Sequence, residues 1–473
     1  MAISSIPFIF LFLPVFILFY YLIPRKWWRT IVLFIGSVFF FAWLDPGNLG
    51  LLILSVLLNY IFGILIGHFV KPGRTRTLAA ILTTMAVVGN LAVLGFYKYG
   101  GFLSSIITDA FDLKTVESAY SLPLGISYFT FTGIAYILDV FHTVIPSEKK
   151  VLRFANYMVM FPKILLGPIS RYDQVQEDLD NRWFVNPNFA EGVRRFIQGL
   201  GKKVILADNF SIVTDRIFTG DYHFMGAGTA WFGLVCYALQ IFFDFSGYTD
   251  MAIGLGLILG FHLPENFNFP YIAKSVTDFW RRWHMTLTAW FRTYIFLPLD
   301  FNWRRISFLR RPLTILIVFL LTGLWHGAGW NFIIWGGYFG VVLTLETIGL
   351  EKILKKLPGI LQHFYTLLVV WIGWVLFKIT DICEWGSFFK SLSGANGWIG
   401  EITLRNTNVL LFWPLLVVSL VLITPYPRQV ENHFFKKGAA GKTLVWILYA
   451  GIFLLSISYI LSNGYVSFLY SQF

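Results

Sequence analysis

The chain has 473 residues, 57% of them hydrophobic and only 13% charged, with a mean hydropathy of +0.67. A soluble domain carries about 25% charged residues, so water cannot wet this surface all round, and soluble, disordered, coiled-coil and secreted disulfide-scaffold readings are excluded. The net charge of +12 would suggest nucleic acid in a soluble protein; in a membrane protein it reads as Lys and Arg retained on cytoplasmic loops, and no nucleic-acid partner is expected.

The first apolar run, 6–23, lacks a basic leader and an A-x-A site and is too long for the core of a cleavable signal. Pro24-Arg25-Lys26-Trp27-Trp28-Arg29 follow it, which argues for a retained helix with its N-terminus outside. At about 20 apolar residues per crossing, the candidate spans are 6–24, 30–44, 49–70, 78–97, 121–145, 225–243, 247–262, 312–330, 331–350, 361–379, 407–424 and 443–463. The 30–44 run is short, and 247–262 is the weakest crossing. Loop charges alternate along this series, basic at 25–29, 71–76 and 149–153 and acidic at 109–117, so both termini are expected outside the cytoplasm.

Two stretches do not read as spans. In 151–223, Pro162, Gly167 and Pro168 interrupt the pattern, and Val193, Phe196, Ile197, Leu200 and Val204 recur at helical spacing between basic residues. This stretch and 271–300 are expected to form re-entrant or interfacial helices. No repeat, low-complexity tract or soluble region stands out. The expected architecture is all-α and polytopic: about a dozen membrane helices plus re-entrant or interfacial ones, in a single domain over 1–473. Cys236 and Cys383 lie far apart in apolar context and read as free thiols.

Three segments could carry chemistry. In LTGLWHGAGWN (321–331), His326 sits in apolar sequence among glycines and tryptophans. An ionisable residue inside a membrane segment is a functional-site hypothesis by default; the alternative is a helix turn with His326 bonded to a carbonyl. The pairs Gly323/Gly327 and Gly336/Gly340 have the GxxxG spacing of close helix approach. In TDFWRRWHMT (277–286), Trp280, Trp283, Leu287, Trp290 and Phe291 line one stripe of a helix bordered by His284. There Arg281 and Arg282 either snorkel to headgroups or hold donor phosphates. In QIFFDFSGYTD (240–250), Asp244 and Asp250 read as a buried polar clamp or as partners of those arginines, and Asp139 as a similar group.

No HExxH, P-loop, GxSxG elbow or Cys/His ligand spacing is present, so no metal is expected. An imidazole without a protein nucleophile suits general-base catalysis. The simplest matching reaction is acyl transfer from a thioester to a hydroxyl. A secondary transporter with Asp139, Asp244 and Asp250 as ion sites is the rival from another class. No paired halves are visible, and a coupled transporter would not cleave a thioester.

The segments NYMVMFPKILLGPISRY (156–172), QIFFDFSGYTDMAIGLG (240–256), PENFNFPY (264–271), DFWRRWH (278–284) and LTGLWHGAGWNFIIWGGYFG (321–340), in this order over nearly the whole chain, resemble the membrane-bound O-acyltransferase (MBOAT) family. The resemblance is to its bacterial branch of alginate O-acetyltransferase-like proteins. It implies a helical bundle in the bacterial cytoplasmic membrane, with His326 as the catalytic histidine and His284 as the second active-site histidine. It also implies acetyl-CoA as donor, and a polysaccharide acceptor reached through an extracytoplasmic partner of the SGNH-hydrolase type. Donor phosphates are expected near Arg281 or Arg282 beside Trp280 and Trp283, with His284 orienting the donor or stabilising the thioester oxygen. Asn331, Asp244 and Asp250 take supporting places. The tail FLYSQF resembles the C-terminal aromatic motif of related acyl-export systems and makes Tyr470 a candidate acyl relay; the alternative is an aromatic belt. Within the family, D-alanyl transfer to teichoic acid from a carrier-protein thioester is the second reading. The chain departs from the branch after Leu299, where Asp300-Phe301-Asn302-Trp303 replaces a Gly-Gly-Asn segment.

Overall fold

The computed structural model describes residues 2–73, 75–111, 121–182, 184–304, 309–399, 412–463 and 468. Every regular element among them is helical. Seven helices are long and apolar enough to cross a bilayer: Lys26–Leu44, Pro46–Phe69, Arg76–Thr108, Ala227–Leu259, Trp330–Leu354, Gly359–Lys378 and Gly438–Ser462. Phe8–Leu22, Ile126–Phe141 and Trp413–Leu422 are shorter apolar helices. Helices suit this chain because lipid offers no partner for a backbone N–H or C=O, and a helix satisfies its own. The protein is a multi-pass membrane protein.

Burial separates inner from outer helices. Only 22% of the most apolar window of Arg76–Thr108 and of Gly438–Ser462 is covered by protein, against 78% of that in Ala227–Leu259. The former are largely uncovered by protein, and the latter is largely covered. The two expected spans 225–243 and 247–262 are this one helix. Gly247, at the start of the second expected span, is a packing position inside the one helix: a Cβ there would stand 2.9 Å from the carbonyl oxygen of Gly199.

The chain packs as two compact units. One comprises Met1–Phe196 and Tyr248–Glu265. In it Phe8, Phe12, Phe40 and Phe161 pack ring against ring. Leu49–Phe69 and Arg76–Phe111 are joined by Asn59 and Asn90, whose amides bond to each other at 3.0 and 3.2 Å. Hydrogen bonds of this kind hold helices together where lipid supplies no hydrophobic drive. The segment expected to be re-entrant folds into short helices, Val151–Val159, Tyr172–Asp180 and Asn186–Gly201, around a buried turn at 160–170. Gly125 lies against that turn with φ +70, and a Cβ on it would meet the Ile164 carbonyl oxygen at 2.4 Å.

The other unit comprises Ile197–Gly247 and Asn266–Phe473. It holds the hairpin of Arg310–His326 and Trp330–Leu345, the Gly359–Lys378 helix, and the short helices Val276–Arg282 and Met285–Phe291. The candidate catalytic residues lie here.

Candidate active site

The hairpin is built on backbone contact. A Cβ at Gly323 would stand 2.3 Å from the Phe332 carbonyl oxygen, one at Gly336 2.4 Å from that of Phe319, and one at Gly327 2.2 Å from the Phe332 ring. The GxxxG spacing thus marks two helices touching through their main chains. Gly323→Val is expected to destabilise the protein by at least the about 1–3 kcal/mol typical of overpacking, read as a lower melting temperature in detergent. Gly337→Ala is the control on the same helix pair, because its Cβ would meet only the Leu320 side chain, at 3.7 Å.

His326 is the last residue of its helix and is 4% exposed. The rings of Trp325, Trp335 and Phe377 stand edge-on to its imidazole with centroids at 4.9, 5.0 and 5.2 Å. It lines a cavity of about 260 Å³. Trp280, Arg281, Trp283, His284, Arg292, Phe319 and Thr322 share the lining. The walls are mostly aromatic and aliphatic, as small-molecule sites usually are, with a few convergent polar groups.

The sequence stripe from Trp280 to Phe291 implies one helix, but the structure breaks it at His284. Val276–Arg282 ends, His284 takes φ 44 and ψ 53, and Met285–Phe291 begins. A left-handed conformation costs a non-glycine residue roughly 1–2 kcal/mol. Asn266 offsets it: its carbonyl oxygen accepts from Met285 N at 2.9 Å and its Oδ1 from Thr286 N at 3.2 Å and Thr286 Oγ1 at 2.9 Å. The same Oδ1 lies 3.1 Å from His284 Nδ1. The ring of His284 stands edge-on to Phe245 at 4.6 Å and meets Trp325 at 5.9 Å, so Trp325 contacts both imidazoles. Burial pushes the His284 imidazole down to about 3, leaving it neutral at physiological pH.

The first of the short helices is held from its N-terminus. Glu346, 1% exposed, accepts from Val276 N and Thr277 N at 2.8 Å each and from Thr277 Oγ1 at 2.6 Å. A buried carboxylate on free N–H groups at a helix start is favourable in both hydrogen bonding and dipole. Trp283 stacks on Phe279 at 5.5 Å and contacts Trp374 at 5.0 Å. Trp280 meets Phe319, Trp335 and Phe339 edge-on.

The expected donor arginines separate. Arg281 lines the cavity, as does Arg292. Arg282 instead bonds Asp278 at 3.0 Å and reaches the Asn268 carbonyl oxygen at 3.3 Å. Asp244 and Asp250 pair with other cations. In the second unit Asp244 binds Lys203 at 2.7 Å, and Lys203 also meets Asp208 at 2.7 Å. In the first unit Asp250 binds Arg195 at 2.8 Å. Asn331 is buried and stands apart from the cavity lining. Tyr470 lies outside the described residues. Asn266 and Glu346 are the residues that sequence reasoning missed. Asn266 sits inside the PENFNFPY segment, but nothing local ties it to His284. No cluster among the described residues has the makings of a metal site.

The model of the family described as membrane-bound O-acyltransferase matches residues 127–353, which include both histidines. The chain is 37% identical to the probable alginate O-acetylase AlgI of Azotobacter vinelandii, over 89% of this chain and 83% of that one. The chain belongs to the membrane-bound O-acyltransferase family. It is an acyltransferase of the alginate O-acetylase-like kind. The peptidoglycan O-acetyltransferase of Helicobacter pylori is 33% identical over 82% of this chain and 79% of its own length. The teichoic acid D-alanyltransferase of Bacillus subtilis is 31% identical over 51% of this chain and 63% of its own.

Proposed function

We propose that this protein transfers an acetyl group from cytoplasmic acetyl-CoA towards a polysaccharide hydroxyl outside the bacterial cytoplasmic membrane, through an extracytoplasmic partner of the SGNH-hydrolase type. The observation that carries the reading is one cavity lined by His326, His284, Arg281 and Arg292 in a chain related over most of its length to a named O-acetylase. Two guanidiniums suit the phosphates of a CoA-type donor, and the apolar wall between them and the histidines suits its arm. His326 takes the proton of the attacking hydroxyl while the hydroxyl oxygen bonds to the thioester carbonyl carbon. The C–S bond then breaks, and the imidazolium returns the proton to the departing thiolate. Both termini lie outside in this reading, and Tyr470 is an acyl relay between the cavity and the partner.

D-alanyl transfer is the second reading, favoured by the similarity to the Bacillus subtilis teichoic acid D-alanyltransferase. Purified protein given radiolabelled acetyl-CoA or a D-alanyl-carrier thioester, each with the partner and a polysaccharide acceptor, separates the two. Thiol release and label transfer from acetyl-CoA alone are expected. Turnover of the D-alanyl carrier alone would reverse the order, and turnover of neither would remove both.

A further inference from the structure

The hydrogen bonds around His284 fix which of its two nitrogens carries the proton. Thr286 N is a backbone donor and cannot accept, so the Asn266 atom facing it at 3.2 Å is the amide oxygen. That oxygen also receives Thr286 Oγ1 at 2.9 Å. An oxygen has no hydrogen to give, so His284 Nδ1, 3.1 Å from it, is the donor. A neutral imidazole has one N–H, and Nε2 therefore holds a bare lone pair. His284 is 2% exposed, and Nε2 is buried with no hydrogen-bond partner among the described residues. The residue lines the cavity. A buried acceptor left unsatisfied is expensive, and a ligand that brings a donor relieves it.

We propose that Asn266 is a positioning residue that locks His284 as its Nδ1–H tautomer, so that Nε2 accepts a hydrogen bond from an amide N–H of the acyl donor's pantetheine arm and does not stabilise the thioester oxygen. The choice of donor rests on the proposed function. The attacking hydroxyl has one proton, which goes to His326, and a thioester carbonyl has none. The amide groups of the arm are the donors that remain. His284 serves specificity for the arm, and the lock replaces its expected role as an electrophile. The other charged and titratable groups lining its cavity are Arg281, Arg292 and His326; Phe245, Trp325 and Thr286 complete its surroundings.

The test uses the full-length protein in detergent, with ¹⁵N-labelled histidine and acetyl-CoA as donor. The ring signals of His284, assigned by their absence in His284→Gln, are expected to show a protonated Nδ1 and a bare Nε2. In Asn266→Ala the two nitrogens should exchange roles. Asn266→Ala should also raise the KM for acetyl-CoA about tenfold, the size of one net hydrogen bond, with a smaller change in kcat. Asn266→Asp keeps an oxygen for all three donors but adds a charge that favours the imidazolium. Nε2 then gains a proton as pH falls, and the acid limb of the activity profile, which in the unsubstituted protein belongs to the general base His326 alone, should become steeper and shift to higher pH. If Asn266→Ala does not fold, the unsubstituted protein's ring signals and Asn266→Asp decide the matter. A protonated Nε2 in the unsubstituted protein would overturn the proposal, and so would an Asn266→Asp profile superimposable on its profile. Absence of any thiol release from acetyl-CoA would instead remove the donor reading, while the ring signals would still report the tautomer.

Discussion

Replacing His326 by alanine is expected to lower acetyl transfer by about a hundred- to ten-thousand-fold, the usual contribution of a general base, with little change in melting temperature. The stability part follows from the surroundings. His326 ends its helix, and the helix is fixed by the glycine contacts of the hairpin rather than by the imidazole. The ring makes edge-on contacts with three aromatic neighbours, and those neighbours also pack on one another, as Trp335 does on Phe377 at 5.5 Å. Loss of the ring thus removes the proposed base from a wall that stands without it. The measurement is thiol release by purified protein beside a melting curve. Near-normal turnover by a folded His326→Ala protein would remove the base assignment and leave His284 as the imidazole to test.

Glu346→Ala is expected to have the largest effect of any substitution outside the cavity lining, and to act through stability. The carboxylate receives three hydrogen bonds at the start of Val276–Arg282 and is buried. Its removal strands two backbone N–H groups and a hydroxyl, each worth about 1–3 kcal/mol when buried and unsatisfied. A total of roughly 3 kcal/mol is expected, seen as a lower melting temperature. Activity should fall with it, since Trp280, Arg281 and His284 ride on this segment. Glu346→Gln keeps one acceptor oxygen and should fall between. A melting temperature for Glu346→Ala equal to that of the unsubstituted protein would show that the helix start is held by something else.

Much of the fold was legible because lipid is a demanding solvent. Long runs of Leu, Ile, Val and Phe have few alternatives to a helix, and the expected spans 49–70, 331–350 and 361–379 fall on Pro46–Phe69, Trp330–Leu354 and Gly359–Lys378. The errors came where a residue type has two physical uses. The expected spans 225–243 and 247–262 are one helix, and Gly247, which opens the second of them, is a packing contact. The Trp280–Phe291 stripe has helical period, yet the chain turns at His284 because Asn266, distant in sequence, supplies the hydrogen bonds that a further helical turn would have made. Of the site, His326 and His284 were readable as polar residues in apolar context, and the family resemblance gave them roles. Arg281 and Arg282 were not separable by composition. The separating signal was present in the spacing: Asp278 precedes Arg282 by four residues, the offset of an intrahelical ion pair, and that pair forms. Asn266 and Glu346 were invisible because their value lies in what they touch.

The glycine hairpin also bears on how the cavity admits anything. Helices in main-chain contact have no slack between them, so the side of the cavity carrying His326 responds to force as one stiff plate. The opposite side, two short helices meeting at His284, hangs from a carboxylate and an amide. A guest larger than the resting space is expected to be accommodated by tilting on the side of His284, with His326 keeping its place.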